Sequence, residues 1–259
     1  MTKFTIHSLI LDMDGVLWKG MQPIGDLQAI FEEISKRKLK VVMATNNATT
    51  TTQQYVDKLC NFNVDINPEQ IITSGVATGA YLNKMYPKGG NIFILGEEGL
   101  MDSIEQFGFT IADHNVQAVV VGMDRNLTFE KLSRATQLIR AGAEFIATNP
   151  DNTFPTPEGL IPGAGAILAA VEAASGKKAL VIGKPQVEMY RLALEYLRTP
   201  PQQTLVVGDR IETDIAGGQA LGCRTALVLS GVTDGSSATN WKPAPDIITR
   251  DLESLLDLL

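Results

Sequence analysis

Histidine and cysteine each occur only twice in this 259-residue chain, and their scarcity removes several chemistries. His7 and His114 stand alone, outside any His-x-x-x-His arrangement, so a histidine-built zinc hydrolase is not indicated. A serine triad would need one of them as its base, and no Gly-x-Ser-x-Gly elbow accompanies them. Cys60 and Cys223 lack motif spacing, which argues against a disulfide framework or a thiolate metal site; both read as small buried hydrophobes. No apolar stretch is long enough to span a bilayer, and the first residues show no basic-then-apolar signal pattern. The net charge of −7 offers no footprint for nucleic acid, and no run of Lys or Arg changes that view. The expectation is a soluble, cytoplasmic protein with neither a membrane nor a nucleic acid as partner.

What the chain does have is apolar residues (44%) and carboxylates, with 20% charged residues in all, a balance that suits a sizeable globular core. At this length it forms one large domain or two of ordinary size. The most telling stretch is Leu9-Ile10-Leu11-Asp12-Met13-Asp14-Gly15-Val16-Leu17-Trp18. Ser8 to Leu11 reads as a buried parallel strand, because a short continuous apolar run is what such a strand needs. If the extended geometry persists, Asp12 and Asp14 share one side, and Gly15 lets the backbone turn away. Carboxylates about 4 Å apart repel by roughly 4 kcal/mol at an effective dielectric of about 20, strain that a cation or a raised pKa relieves. Asp-x-Asp-Gly is also an ordinary turn sequence. An EF-hand is excluded, since Val16, Leu17 and Trp18 cannot ligate calcium.

Strands and amphipathic helices alternate along the rest of the chain. Leu27, Ile30, Phe31 and Ile34 place a helix within Gly25 to Lys38, and Lys40 to Ala44 is the next strand. Gln53 to Cys60 reads as helix and Gln70 to Thr73 as a short strand. Further strands are Asn91 to Leu95, Ala118 to Val121, Glu144 to Ala147, Ala179 to Ile182, Thr204 to Val207 and Arg224 to Leu229. Ala164 to Ala174, ended by Gly176, and Gln186 to Leu197 read as helices. This rhythm predicts an α/β fold, a doubly wound parallel sheet. With no flexible linker in the chain, any second domain must be an insertion.

Three more strand ends carry polar groups. Thr45 and Asn46 follow one strand and suit either an anion or a helix cap. Lys184, in Gly183-Lys184-Pro185, follows another and suits either a surface charge or a phosphate held near a helix N-terminus. Asp209 and Asp214 begin and close a loop into a helix after Val206-Val207-Gly208, an oxygen-donor pattern for a hard cation.

In order, Asp12-Met13-Asp14-Gly15, Thr45-Asn46-Asn47, Gly183-Lys184-Pro185 and Gly208-Asp209 to Asp214 resemble the four motifs of the haloacid dehalogenase (HAD) superfamily. The long insert resembles the class IIA branch, the NagD-like and p-nitrophenyl phosphatase-like proteins, through Val121-Gly122-Met123-Asp124, Thr148-Asn149-Pro150-Asp151, Phe154-Pro155-Thr156-Pro157 and Pro162-Gly163-Ala164-Gly165. The resemblance implies a Rossmann-like core of residues 1–74 and 180–259, with a smaller inserted α/β cap of residues 75–179. It implies Asp12 as nucleophile and Asp14 as acid and base. Thr45, Asn46, Asn47 and Lys184 would bind the phosphate. Mg2+ would be held by Asp12, Asp209 and the backbone carbonyl of Asp14, with Asp214 supporting the metal site through water or Lys184. The partner implied is a small phosphorylated metabolite, hydrolysed as a phosphomonoester.

The Asn149 to Gly159 loop, with Asp151 and Phe154, reads either as a specificity element or as a Pro-rich structural loop, while Gly163 and Gly165 read as packing or helix-start residues. Two rivals use similar residues: a phosphoacceptor switch of the receiver type, and a non-catalytic homologue that binds a phosphometabolite. The Asp-Met-Asp-Gly spacing and the large insert favour the enzyme. Which phosphomonoester it takes, and whether it forms a homo-oligomer, stay open.

Overall fold

The computed structural model describes residues 5–156, 159–233 and 240–259. Along the chain run β1 (Ser8–Leu11), a hairpin of β2 (Trp18–Lys19) and β3 (Gln22–Pro23), α1 (Leu27–Lys36), β4 (Lys40–Thr45), α2 (Thr52–Cys60) and β5 (Ile71–Thr73). Then follow α3 (Ser74–Met85), β6 (Gly90–Leu95), α4 (Glu98–Gln106), β7 (Phe109–Ile111), β8 (Val116–Val121), α5 (Phe129–Arg140) and β9 (Glu144–Ala147). A second hairpin, β10 (Thr153–Thr156) and β11 (Gly159–Pro162), precedes α6 (Ala164–Ser175) and β12 (Leu180–Val181). The chain closes with α7 (Val187–Leu197), β13 (Thr204–Gly208), α8 (Ala216–Ala220), β14 (Arg224–Val228), β15 (Ile247–Thr249) and α9 (Leu252–Leu256). No described helix is long and apolar enough to cross a membrane.

The chain divides into two compact units. The first comprises residues 1–45, 53–72 and 184–259; the second comprises 46–52 and 73–183. Segments 46–52, 73–74 and 180–183 therefore count with the insert, whereas the sequence reading kept them in the core.

In the first unit a six-stranded sheet has the order β15-β14-β13-β1-β4-β5. β1 runs parallel to both β13 and β4, as β13 does to β14 and β14 to β15. All four residues of β1 and all five of β13 are buried. Because side chains alternate faces, that pattern requires both faces of the sheet to be covered. Leu9, Leu11, Leu205 and Val207 join one core with Trp18, Leu59 and Leu255. The strand order reverses between β1 and β13, the switch point at which open α/β sheets place ligands at their carboxyl ends. α1 shows how local sequence builds the cover: Asp26 Oδ1 accepts from Ala29 N at 3.1 Å, and Leu27, Ile30 and Ile34 bury one face.

The second unit holds a five-stranded sheet, β12-β9-β8-β6-β7, parallel throughout. Its helix α6 starts after Gly163 and ends on Gly176 at φ +72°. A Cβ on Gly165 would overlap the Pro150 carbonyl, in keeping with the packing role expected for it. The Asn149–Gly159 segment is not wholly a loop. Thr153–Thr156 pairs antiparallel with Gly159–Pro162, while Pro157 and Glu158 lie outside the described residues. Cys223 is buried, which pushes its thiol up to about 12. Cys60 is exposed, contrary to the expectation that both cysteines fill core space.

Candidate active site

The strand ends of the first unit converge on Lys184. Its Nζ donates to Asp12 Oδ1 at 2.6 Å, to Asp214 Oδ1 at 2.7 Å and to the Ala44 carbonyl at 2.9 Å. The side chain is only 4% exposed, so Lys184 is no surface charge. One carboxylate oxygen from each of Asp12, Asp209 and Asp214 falls within 4.8 Å of the others. The buried Asp209 and Asp214 and the partly buried Asp12 around one ammonium leave a formal charge of −2.

Burial pushes the Asp12 carboxyl well above its usual range; Lys184 opposes this, and Asp214 and Asp209 reinforce it. Asp209 is pushed up to about 6, by burial first and then by Asp214. Burial disfavours the Lys184 ammonium, but Asp12 and Asp214 outweigh it and hold the group protonated, well above its usual range.

Backbone shape makes this crowding feasible. Asp12 N donates to the Val207 carbonyl at 2.8 Å, locking the end of β1 against β13. Gly15 sits at φ +86°, and a Cβ there would overlap Asp209 Oδ2. Asp209 Oδ2 accepts from Val232 N at 2.7 Å, whereas Oδ1 is buried with no hydrogen-bond partner. Ile211–Ile215 is a π-helical turn where the sequence suggested a loop. Its Asp214 Oδ2 accepts from Arg210 N at 3.1 Å, and the buried Tyr190 hydroxyl donates to the Thr213 carbonyl at 3.1 Å.

The extended geometry on which the pairing of Asp12 with Asp14 was conditional ends after Leu11. The chain bends at Met13, whose carbonyl accepts from Leu17 N at 2.8 Å, so strand geometry does not persist. Asp14 is exposed, and its Oδ1 accepts from Trp18 Nε1 at 3.0 Å. Asp12 instead clusters with Asp209 and Asp214. Thr45 is buried at the end of β4.

Asn46 and Asn47 belong to the second unit. There Asn46 Nδ2 donates to Asp151 Oδ2 at 3.1 Å, and its carbonyl accepts from Ser74 Oγ at 2.6 Å and Asn149 Nδ2 at 2.8 Å. Asn47 Oδ1 accepts from Thr49 N at 2.9 Å and Thr49 Oγ1 at 2.8 Å, a local side-chain turn.

Sequence reasoning missed Trp18, Ser74 and the Gly231–Val232 backbone around Asp209. Only Trp18 carried a signal, four residues after Asp14; the others are brought in by the fold.

The donor set fits a hard divalent cation. It is all oxygen, carries excess negative charge and includes one buried oxygen that no protein group satisfies.

Residues 9–110 match the haloacid dehalogenase-like hydrolase family, and residues 181–255 match the HAD-hydrolase-like family. The chain is 34% identical over 253 residues to the 5'-nucleotidase YutF of Bacillus subtilis (strain 168), covering 98% of this chain and 97% of that protein. It is 34% identical over 250 residues to a dihydroxyacetone phosphatase of Corynebacterium glutamicum (strain R), covering 96% and 90%. The solved structure of NagD from E. coli K-12 superposes with a TM-score of 0.89 at 32% identity, over 96% of this chain and 98% of that one.

Proposed function

The chain belongs to the haloacid dehalogenase-like hydrolases, in their NagD-like branch, and from that premise we propose that it is a magnesium-dependent phosphomonoesterase working through an aspartyl-phosphate. The observation that carries this reading is the cluster of Asp12, Asp209 and Asp214 beside the buried Lys184 at the switch point of the first sheet. Relatives named as a 5'-nucleotidase and a dihydroxyacetone phosphatase support a small phosphorylated metabolite as substrate.

In the first step an Asp12 oxygen attacks phosphorus and the bond to the leaving oxygen breaks. Asp14 gives its proton to that oxygen, releasing an alcohol. In the second step water attacks the phosphorus of the aspartyl-phosphate and Asp14 takes the water proton. Inorganic phosphate departs and the Asp12 carboxylate is restored, so protons and electron pairs balance over the cycle. Lys184 orients Asp12 and offsets charge on the transferring oxygens, with Thr45, Asn46 and Asn47 as further phosphate contacts. Asp214 keeps Lys184 charged and in place. Asp12, Asp209 and the Asp14 carbonyl would hold Mg2+, which supplies positive charge against the phosphoryl oxygens. The inserted unit, as a cap, is the part we assign to substrate selection, with Asp151 and Phe154 as its first residues to test.

The deciding experiment measures phosphate release from a panel of phosphomonoesters, with Mg2+ and with chelator, for the parent and Asp12→Asn. Multiple turnover that needs both Mg2+ and Asp12 is expected, with a loss of at least about 10³-fold in the folded variant. Stoichiometric labelling of Asp12 without turnover would make the protein a phosphoacceptor switch, and undiminished activity of Asp12→Asn would overturn the nucleophile assignment.

A further inference from the structure

We propose that the Trp18 indole is a positioning residue for Asp14, holding one carboxyl oxygen so that the other is left for proton transfer. This rests on the reading of Asp14 as the acid.

Trp18 is fully buried, yet its one polar atom meets an exposed carboxylate: Nε1 donates to Asp14 Oδ1 at 3.0 Å. Among the described residues, no other hydrogen bond to the Asp14 carboxyl is present. A short exposed aspartate otherwise samples several rotamers, and one bond to a rigid partner removes that freedom.

The partner is rigid for identifiable reasons. The Trp18 ring stacks on Tyr55 with centroids 6.3 Å apart and planes 13° apart, and Phe62 flanks it at 6.4 Å. Lys58 Nζ lies 3.8 Å from the ring centroid and donates to the Gly20 carbonyl at 2.8 Å. A cation on the ring face draws π-density towards itself, which makes the indole N–H a stronger donor. The Trp18 carbonyl accepts from Gly15 N at 2.7 Å, so main chain and side chain close the same turn around Asp14.

The test uses the full chain and two kinds of ester: p-nitrophenyl phosphate, whose phenolate leaves with little protonation, and the aliphatic phosphomonoester turned over fastest in the panel. The readout is kcat/KM, which reports the first phosphoryl transfer. Asp14→Asn is the reference, expected to lose the aliphatic ester preferentially. Trp18→Phe is expected to lose about 10-fold or more on the aliphatic ester and at most about 2-fold on p-nitrophenyl phosphate. Replacement of Trp18 by β-(3-benzothienyl)alanine keeps the volume, removes only the N–H and should give the same selective loss, even if Trp18→Phe folds poorly. Equal losses on both esters, or no loss, in the isosteric variant overturn the positioning role while the Asp14 reading stands. If Asp14→Asn loses both esters alike, Asp14 is not the acid, and both readings fall.

Discussion

Lys184 is the residue on which the acidic cluster depends. Removing one member of a buried ion pair leaves its partners desolvated and unpaired, at a typical cost of about 3–5 kcal/mol. Lys184→Met is therefore expected to lower the free energy of unfolding in urea by that much while abolishing turnover, because Asp12 and Asp214 would face each other without the ammonium. Chemical denaturation of the variant in chelator checks it; unchanged stability would mean that the carboxylates are protonated or that water reaches them. Sequence position made Lys184 a candidate, since it follows an apolar strand and precedes a helix. That it is buried between two aspartates 172 and 30 residues away was not readable from its neighbours.

Among the elements, the junction of β13 with the π-helical turn Ile211–Ile215 is the most tightly specified. A Cβ on Gly208 would overlap the Asp214 carboxylate, so Gly208→Ala must displace the turn that Asp214 and Tyr190 anchor. The expected cost is about 1–3 kcal/mol together with at least about 10-fold in kcat, read by thermal unfolding and phosphate release. The apolar runs of β1, β4, β8, β9, β13 and β14 are plain in the sequence because buried parallel strands need continuous apolar residues. Helix α3 is not, because Gly75 and Gly79 weaken its pattern; a Cβ on Gly79 would overlap the Phe107 ring, so the glycines serve close packing against the neighbouring α4 segment. The hairpins β2–β3 and β10–β11 escaped for other reasons: the first has strands of only two residues, and the second carries Pro155 and Pro162 and no buried apolar run in β11.

At the scale of the whole molecule, the chain passes between its two units after residues 45, 52, 72 and 183, so the first unit is assembled from three separate segments. A ligand that binds only this assembled state stabilises it by mass action, about 2.7 kcal/mol at 100 times its Kd. Mg2+ is expected to raise the melting temperature of the parent, and Asp209→Asn to remove most of that shift; calorimetry with and without chelator reads both. An equal shift in Asp209→Asn would take the cation away from this cluster. The sequence by itself determined the α/β class, the order of the four polar strand ends and the family, because apolar period and motif spacing are local properties of the chain. Only the tertiary structure decided which carboxylates meet. Side-chain alternation paired Asp12 with Asp14, whereas the bend at Met13 sends Asp14 to Trp18 and the parallel pairing of β1 with β13 brings in Asp209 and Asp214. Contacts across nearly 200 residues follow from strand order, which no local pattern contains.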